Sequence, residues 1–236
     1  PHDQVLKLLF PNVKSVTNKC TALVQSCTRC LYDKMHNLPF PKSQFVASSP
    51  FELVHFDVWG LAPVTSINGF RYYVLVVDHF TRFTWIYLLK SKLEVLSKFI
   101  LFKVMIETQF STKIKTLRSD GDGEYTSSAF KSYLLQNGIF HQISCPYTPQ
   151  QKDLVERKHR HLIETTSTLL SQAFMSTNYW SYAFLTTVSL INLLPTSVLS
   201  FVSPWYKLHS TPPDLSQLKV FGYACYPHLR PYSLVV

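Results

Sequence analysis

Three acidic residues fall within five positions of SDGDGE: Asp120, Asp122 and Glu124. Carboxylates at alternate positions, broken by glycines, are what an oxygen-ligating cation loop is made of. An EF-hand reading fails at once. Counted from Asp120, position six must be Gly and position twelve Glu, and here they are Tyr125 and Lys131. Partners for any cation chemistry must therefore come from elsewhere. Asp57 lies 63 positions upstream of Asp120, and 35 residues separate Asp120 from Glu156. Three converging carboxylates repel one another unless a divalent cation neutralises them. Mg²⁺ (or Mn²⁺) suits such a set, because it takes a few carboxylates and keeps positions open for water and phosphate oxygens. Two such ions about 3.5–4 Å apart activate an attacking oxygen and stabilise a leaving one in phosphoryl transfer.

Each acid also has a plainer role available. Asp57 could cap a turn before Gly60. Asp120 precedes Gly121, and Asp-Gly is common turn chemistry. Glu156 could pair with Arg160 at i, i+4 on a solvated helix face. Asp122 stands two residues from Asp120, where it could distort the loop or compete for an ion. The segment ERKHRH places Arg157, Lys158, His159, Arg160 and His161 next to Glu156. On a helix, 157, 160, 161 and 164 share one side, where basic groups would meet phosphates or simply face water.

The elements that must position these residues can be read from the pattern. FELVHFDVWG, GFRYYVLVVDHF and RFTWIYLLK are three strands, rich in aromatic and β-branched residues and closely spaced, so they predict an antiparallel meander. KLEVLSKFILFKVMIETQF predicts a helix with an apolar stripe at Leu93, Leu96, Ile100 and Val104. KIKTLRSD is a short strand, SSAFKSYLLQNG a helix stopped at Asn137-Gly138, and IFHQISC a strand. From Pro149, PQQKDLVERKHRHLIETTSTLLSQAF is one long helix. A meander followed by βα units is an α/β order, and sites in such sheets gather at the carboxyl ends of strands. Asp57 and Asp120 stand at two such ends, and Glu156 lies one to two turns into the long helix.

Composition narrows the setting. The chain has 236 residues, 46% hydrophobic with 17 Phe and 13 Tyr, enough for a substantial core. A formal charge of +9 favours a polyanionic partner, nucleic acid before an acidic membrane. Five cysteines without a signal peptide or glycosylation sequon predict a reducing, intracellular setting, with Cys27-x-x-Cys30 as a metal or redox pair. The absence of an initial Met and the ending PYSLVV point to a piece of a longer polypeptide. Thr165–Tyr206 carries no charge, but its Ser, Thr, Asn192 and Pro195 predict a buried helix and turn rather than a membrane span. Trp59, Trp85, Trp180 and Trp205 are expected as packing anchors, and Cys145 and Cys225 as small buried hydrophobes. PKSQFVASSP (41–50) reads as a linker.

Almost the whole chain resembles the integrase region of a copia-type LTR retrotransposon polyprotein. The resemblance is carried by CTRCLYDKMHNLPF, the Asp57 strand, TLRSDGDGEYTSSAF, GIFHQISCPYTPQQ, VERKHRHLIETTSTLL, YWSYAFLTTVSLINLLPT and LKVFGYACYPHLRPY, in family order. It implies an RNase H-like core with a five-stranded mixed sheet flanked by helices over 51–173. It also implies a truncated zinc-binding remnant at 1–40 and a helical post-core segment at 174–236. Carried over residue by residue, the catalytic and metal-binding carboxylates are Asp57, Asp120 and Glu156, with two Mg²⁺ (or Mn²⁺). DNA contacts fall to Gln150, Gln151, Lys152, Arg157, Lys158, Arg160 and His161. Cys27 and Cys30 match the family's zinc cysteines, so Zn²⁺ is expected only if the upstream histidines are present in the full-length protein. The partners implied are double-stranded DNA (element ends and target) and a homo-oligomer, with no membrane. The setting implied is intracellular, a cytoplasmic particle first and the nucleus when acting.

Two departures bear on activity. The family reads Ser-Asp-Asn-Gly-Gly-Glu where this chain has Gly121 and Asp122, and Gln-Gln-Asn-Gly where it has Lys152 and Asp153. They keep alive a second reading, a degenerate remnant that binds nucleic acid without catalysis. An RNase H-type hydrolase is the third.

Overall fold

The computed structural model describes residues 47–144 and 149–224, and of 149–153 the backbone only. The expected zinc remnant 1–40 with Cys27 and Cys30 lies outside the described residues. So do 41–46 of the linker, Cys145, Cys225 and the end of the post-core segment.

Among the described residues five strands form: β1 (Leu53–Trp59), β2 (Tyr72–Asp78), β3 (Thr84–Leu89), β4 (Thr116–Ser119) and β5 (Phe140–Ile143). They lie in the order β3-β2-β1-β4-β5. The first three are the expected antiparallel meander, and β4 and β5 add on in parallel. The chain leaves β1 through Gly60 at φ 138°, where an added Cβ would lie 2.4 Å from Tyr72 Cδ1 and 2.9 Å from the Arg71 carbonyl. Only glycine tolerates both the conformation and the approach.

Among the described residues, six α-helices flank the sheet: α1 (Val95–Phe110), α2 (Gly123–Thr126), α3 (Ser128–Gln136), α4 (Pro149–Gln172), α5 (Trp180–Leu193) and α6 (Pro204–His209). Strand alternation sorts the two faces. Val54, Phe56, Val74 and Val76 point to one side, where α1 and α3 supply Phe99, Phe102, Ile106, Phe130 and Leu134. Tyr73, Leu75 and Val77 point to the other, against Val155, Leu162 and Leu170 of α4 and Trp180, Phe184 and Val188 of α5. Asp57, between Phe56 and Val58, therefore falls on the α4 side.

The apolar stripe expected on α1 is displaced. Val95, Phe99, Phe102 and Ile106 are buried, whereas Leu93 and Val104 are exposed. This helix is apolar on nearly every side, so spacing alone allows several stripes. The aromatic neighbours decide the phase: Phe99 meets Phe56 edge-on at 5.3 Å, and Phe102 meets Trp85 at 5.2 Å. Truncating Phe99 to Ala would cost about 3–5 kcal/mol in a core of this kind.

The uncharged stretch supplies the end of α4, then α5 and the start of α6. Asn192 is buried there because its side chain accepts from Thr84 N–H (2.9 Å) and donates to Thr84 C=O (2.7 Å), closing part of the free edge of β3. Among the described residues no helix is long and apolar enough to cross a membrane. Trp180 is buried, its indole N–H donating to the Val64 carbonyl. Trp59 stacks on Tyr73, Trp85 packs against Phe83, and Trp205 lies beside His209.

Candidate active site

The parallel pairing of β1 with β4 sets the first two carboxylates. Leu53 faces Thr116, Val54 faces Leu117 and His55 faces Arg118. The same register, carried two positions further, brings Asp57 level with Asp120. Helix α4 crosses this end of the sheet with Val155 buried and Glu156 exposed. All three acids line one cavity of about 140 Å³, together with His55, Arg118 and Ser144.

The three acids do not close into a ligand cluster: among the described residues no group of three His, Cys, Asp or Glu side chains is placed to hold a metal ion. Asp57 is engaged, its Oδ2 accepting from His159 Nε2 at 2.8 Å. Asp120 Oδ1 accepts from the Asp122 N–H at 3.3 Å. The donor set nonetheless fits a hard divalent cation in kind, since three carboxylates open on one water-reachable space are magnesium chemistry.

The other two acids of SDGDGE point to a different partner. Lys92 Nζ lies 2.8 Å from Glu124 Oε1 and 3.8 Å from Asp122 Oδ2. Its ammonium is held above the usual lysine range, chiefly by the Glu124 hydrogen bond. Asp122 is exposed and is not among the residues lining the cavity. Lys92 sits 28 residues before Asp120, with nothing in the spacing to announce the contact.

Of the expected DNA-facing residues, Arg157, Arg160 and His161 are exposed on α4. Lys158 is half-buried instead, and burial, with Arg82 nearby, pushes its amine down to about 8. Gln150, Gln151 and Lys152 lie in the first turn of α4, and their side chains are outside the described residues.

Residues not foreseen complete the site. His159 is buried and bridges Asp57 and Tyr73, its Nδ1 being 3.0 Å from the Tyr73 hydroxyl. The signal was there, since i+3 from Glu156 shares a helix face with it. Arg118 lines the cavity and donates twice to Gln142 Oε1, at 3.1 and 2.7 Å. His55 stacks on His79, with ring nitrogens 3.0 Å apart. His55 stands two residues before Asp57 on β1, hence on the same face, and Arg118 stands two residues before Asp120, which follows the end of β4.

Comparison with known proteins places this geometry. Residues 47–149 match a family described as the integrase core domain. Over 208 residues the chain is 50% identical to the retrovirus-related Pol polyprotein from transposon RE2 of Arabidopsis thaliana, covering 88% of this chain and 14% of that one. The chain thus spans about 14% of the length of that relative. In fold it is similar to a chain of a simian T-cell lymphotropic virus intasome solved in complex with the PP2A regulatory subunit B56 gamma. There the TM-score is 0.63 at 17% identity, over 90% of this chain and 78% of that one. It is also similar to the HTLV-2 integrase catalytic core domain solved with magnesium in a trimeric form. In that case the TM-score is 0.51 at 18% identity, over 66% of this chain and 95% of that one. The five-stranded mixed sheet with its flanking helices is the RNase H-like architecture of those integrase cores.

Proposed function

We infer the function of this chain from the family to which it belongs, the integrase region of copia-type retrotransposon Pol polyproteins. The reading is a metal-dependent polynucleotidyl transferase that trims element DNA at its 3′ ends and joins those ends to target DNA. One observation carries it: Asp57, Asp120 and Glu156, from two strands and a helix far apart in sequence, line a single cavity. These three residues would hold Mg²⁺ or Mn²⁺, which when bound supplies the charge stabilisation that phosphoryl transfer needs. A structural relative, the HTLV-2 core, was solved with magnesium, which supports the same class of ion here.

The chain's own residues supply the rest. Arg157, Arg160 and His161 present basic groups beside Glu156, where a DNA backbone would lie. Arg118, held by Gln142 at the cavity wall, adds a fixed cation close to the acids. The walls of β1, β4 and α4 orient a scissile phosphate relative to an attacking oxygen, water for trimming and a DNA 3′-hydroxyl for joining. Double-stranded DNA is the partner, and a homo-oligomer the working form, in keeping with the intasome and the trimeric form in which the structural relatives were solved. The work is set in the nucleus, after a cytoplasmic particle stage.

The test is strand transfer on short duplex ends with Mg²⁺ or Mn²⁺, with Asp120→Asn as control. Joining that disappears in the control supports the reading. A second reading, nucleic-acid binding without catalysis, draws on the open arrangement of the three acids. DNA binding by a folded chain that neither nicks nor joins would favour it, and cleavage confined to RNA–DNA hybrids would favour a hydrolase.

A further inference from the structure

We propose that Tyr73 and His159 form a fixed donor chain that orients Asp57, making His159 a positioning residue for the site. The proposal rests on the functional reading above only for the purpose that the orientation serves. The chain of contacts runs across three elements. Tyr73 of β2 is fully buried, and its hydroxyl lies 3.0 Å from His159 Nδ1. His159 of α4 is itself buried, and its Nε2 lies 2.8 Å from Asp57 Oδ2 on β1.

Direction follows from chemistry. A carboxylate only accepts, so His159 Nε2 must donate to Asp57. In the neutral ring Nδ1 then carries no proton and accepts from the phenol. Burial, with Asp57 nearby, raises the ionisation of Tyr73 far above the ordinary range, so the hydroxyl keeps the proton it donates. Asp57 thereby selects the imidazole tautomer, and the phenol satisfies the Nδ1 that this tautomer leaves as an acceptor. Packing fixes the ends: Tyr73 stacks on Trp59 at 5.1 Å and meets Phe184 at 4.8 Å.

The consequence concerns lone pairs. His159 takes Oδ2 only, which leaves Oδ1 of a carboxylate whose side chain is 26% exposed to face the cavity. Groups that orient a metal ligand in this way typically change ion affinity by about 10–100-fold when removed. Glu156 and His159, three residues apart on one helix, would then place the third carboxylate and the orienter of the first with one rigid element.

Two measurements on the whole chain decide it. In metal-free protein, at a pH where the ring is neutral, imidazole ¹⁵N spectra should show His159 protonated at Nε2 with Nδ1 accepting a hydrogen bond, and Tyr73→Phe should remove that hydrogen-bond signature from Nδ1. A neutral ring protonated at Nδ1, or an Nδ1 resonance untouched by Tyr73→Phe, overturns the proposal. Titration with Mn²⁺ followed by electron paramagnetic resonance should show His159→Ala weakening binding about 10–100-fold. His159→Gln, which keeps a donor, should recover most of that loss. Binding within two-fold of wild type in a His159→Ala chain that stays folded by circular dichroism overturns it. Wild-type protein that binds no Mn²⁺ at a site lost in Asp120→Asn defeats the functional reading instead, and the tautomer spectra then decide the positioning role alone.

Discussion

Asp57 and Asp78 lie on the same antiparallel pair of strands, three register positions apart, and face opposite sides of the sheet. Asp78 is wholly buried and accepts three hydrogen bonds, from Phe51 N–H (2.8 Å), Thr81 N–H (2.7 Å) and the Thr81 hydroxyl (2.7 Å). Asp57 is partly open, accepts at Oδ2 from His159, and borders the cavity. Burial pushes the Asp78 carboxyl up despite its three donors, which hold it down. A carboxylate saturated by backbone and hydroxyl donors ties a turn to a strand. One held by a single oxygen keeps capacity for a ligand. Residue type was the same in both cases, and donor count and exposure made the difference.

That contrast can be broken most sharply at Asp57. Asp57→Asn should lower strand transfer by about 10³-fold, the equivalent of several kcal/mol of lost charge stabilisation. It should leave urea unfolding nearly unmoved, and a large drop in stability would show that Asp57 is a structural group after all. Asp78→Ala should behave in reverse. Three donors lose their acceptor in a dry site, so unfolding free energy should fall by about 3 kcal/mol or more. An unchanged unfolding midpoint would remove the distinction.

The pH response of the same region is a smaller effect. Burial holds His79 down to about 4, and burial with His79 and nearby arginines holds His55 well below its usual value. Unfolded, both take a proton near pH 6.5. Below that pH the unfolded chain binds more protons, so stability is whole above pH 6.5 and is lost as pH falls through about 4. Discounted for its partial exposure, His79 should contribute a loss of about 1 kcal/mol between pH 7 and 5. Urea midpoints across that range, in wild type and in His79→Phe, would measure it, and identical slopes would contradict it. Smallest is Lys92→Ala, which removes a half-exposed cation from Asp122 and Glu124 and should cost under about 1 kcal/mol. Joining should change by less than two-fold, and a larger loss would draw those two acids into the site.

The strands and helices were legible because their patterns are local. YYVLVVD could hardly be anything but a strand, and Asn137-Gly138 stopped α3 where expected, with Gly138 at φ 66°. The stripe on α1 was not legible, because apolar residues on every side leave its phase to the neighbours. In the site, the separation of Asp57 and Asp120 already matched the strand register that aligns them. The links from His159 to Tyr73 and from Lys92 to Glu124 were hidden, since each joins residues far apart in the chain.

Sequence by itself therefore determined which elements exist, which family they spell and which three acids to watch. Tertiary structure alone decided that Asp57 is held by His159, that Asp122 and Glu124 turn to Lys92, and that Lys158 is half-buried. The reason is physical. Periodicity and capping act over a few residues along the chain, whereas a hydrogen-bond partner or a buried charge is set by whatever the packed elements bring within about 3 Å.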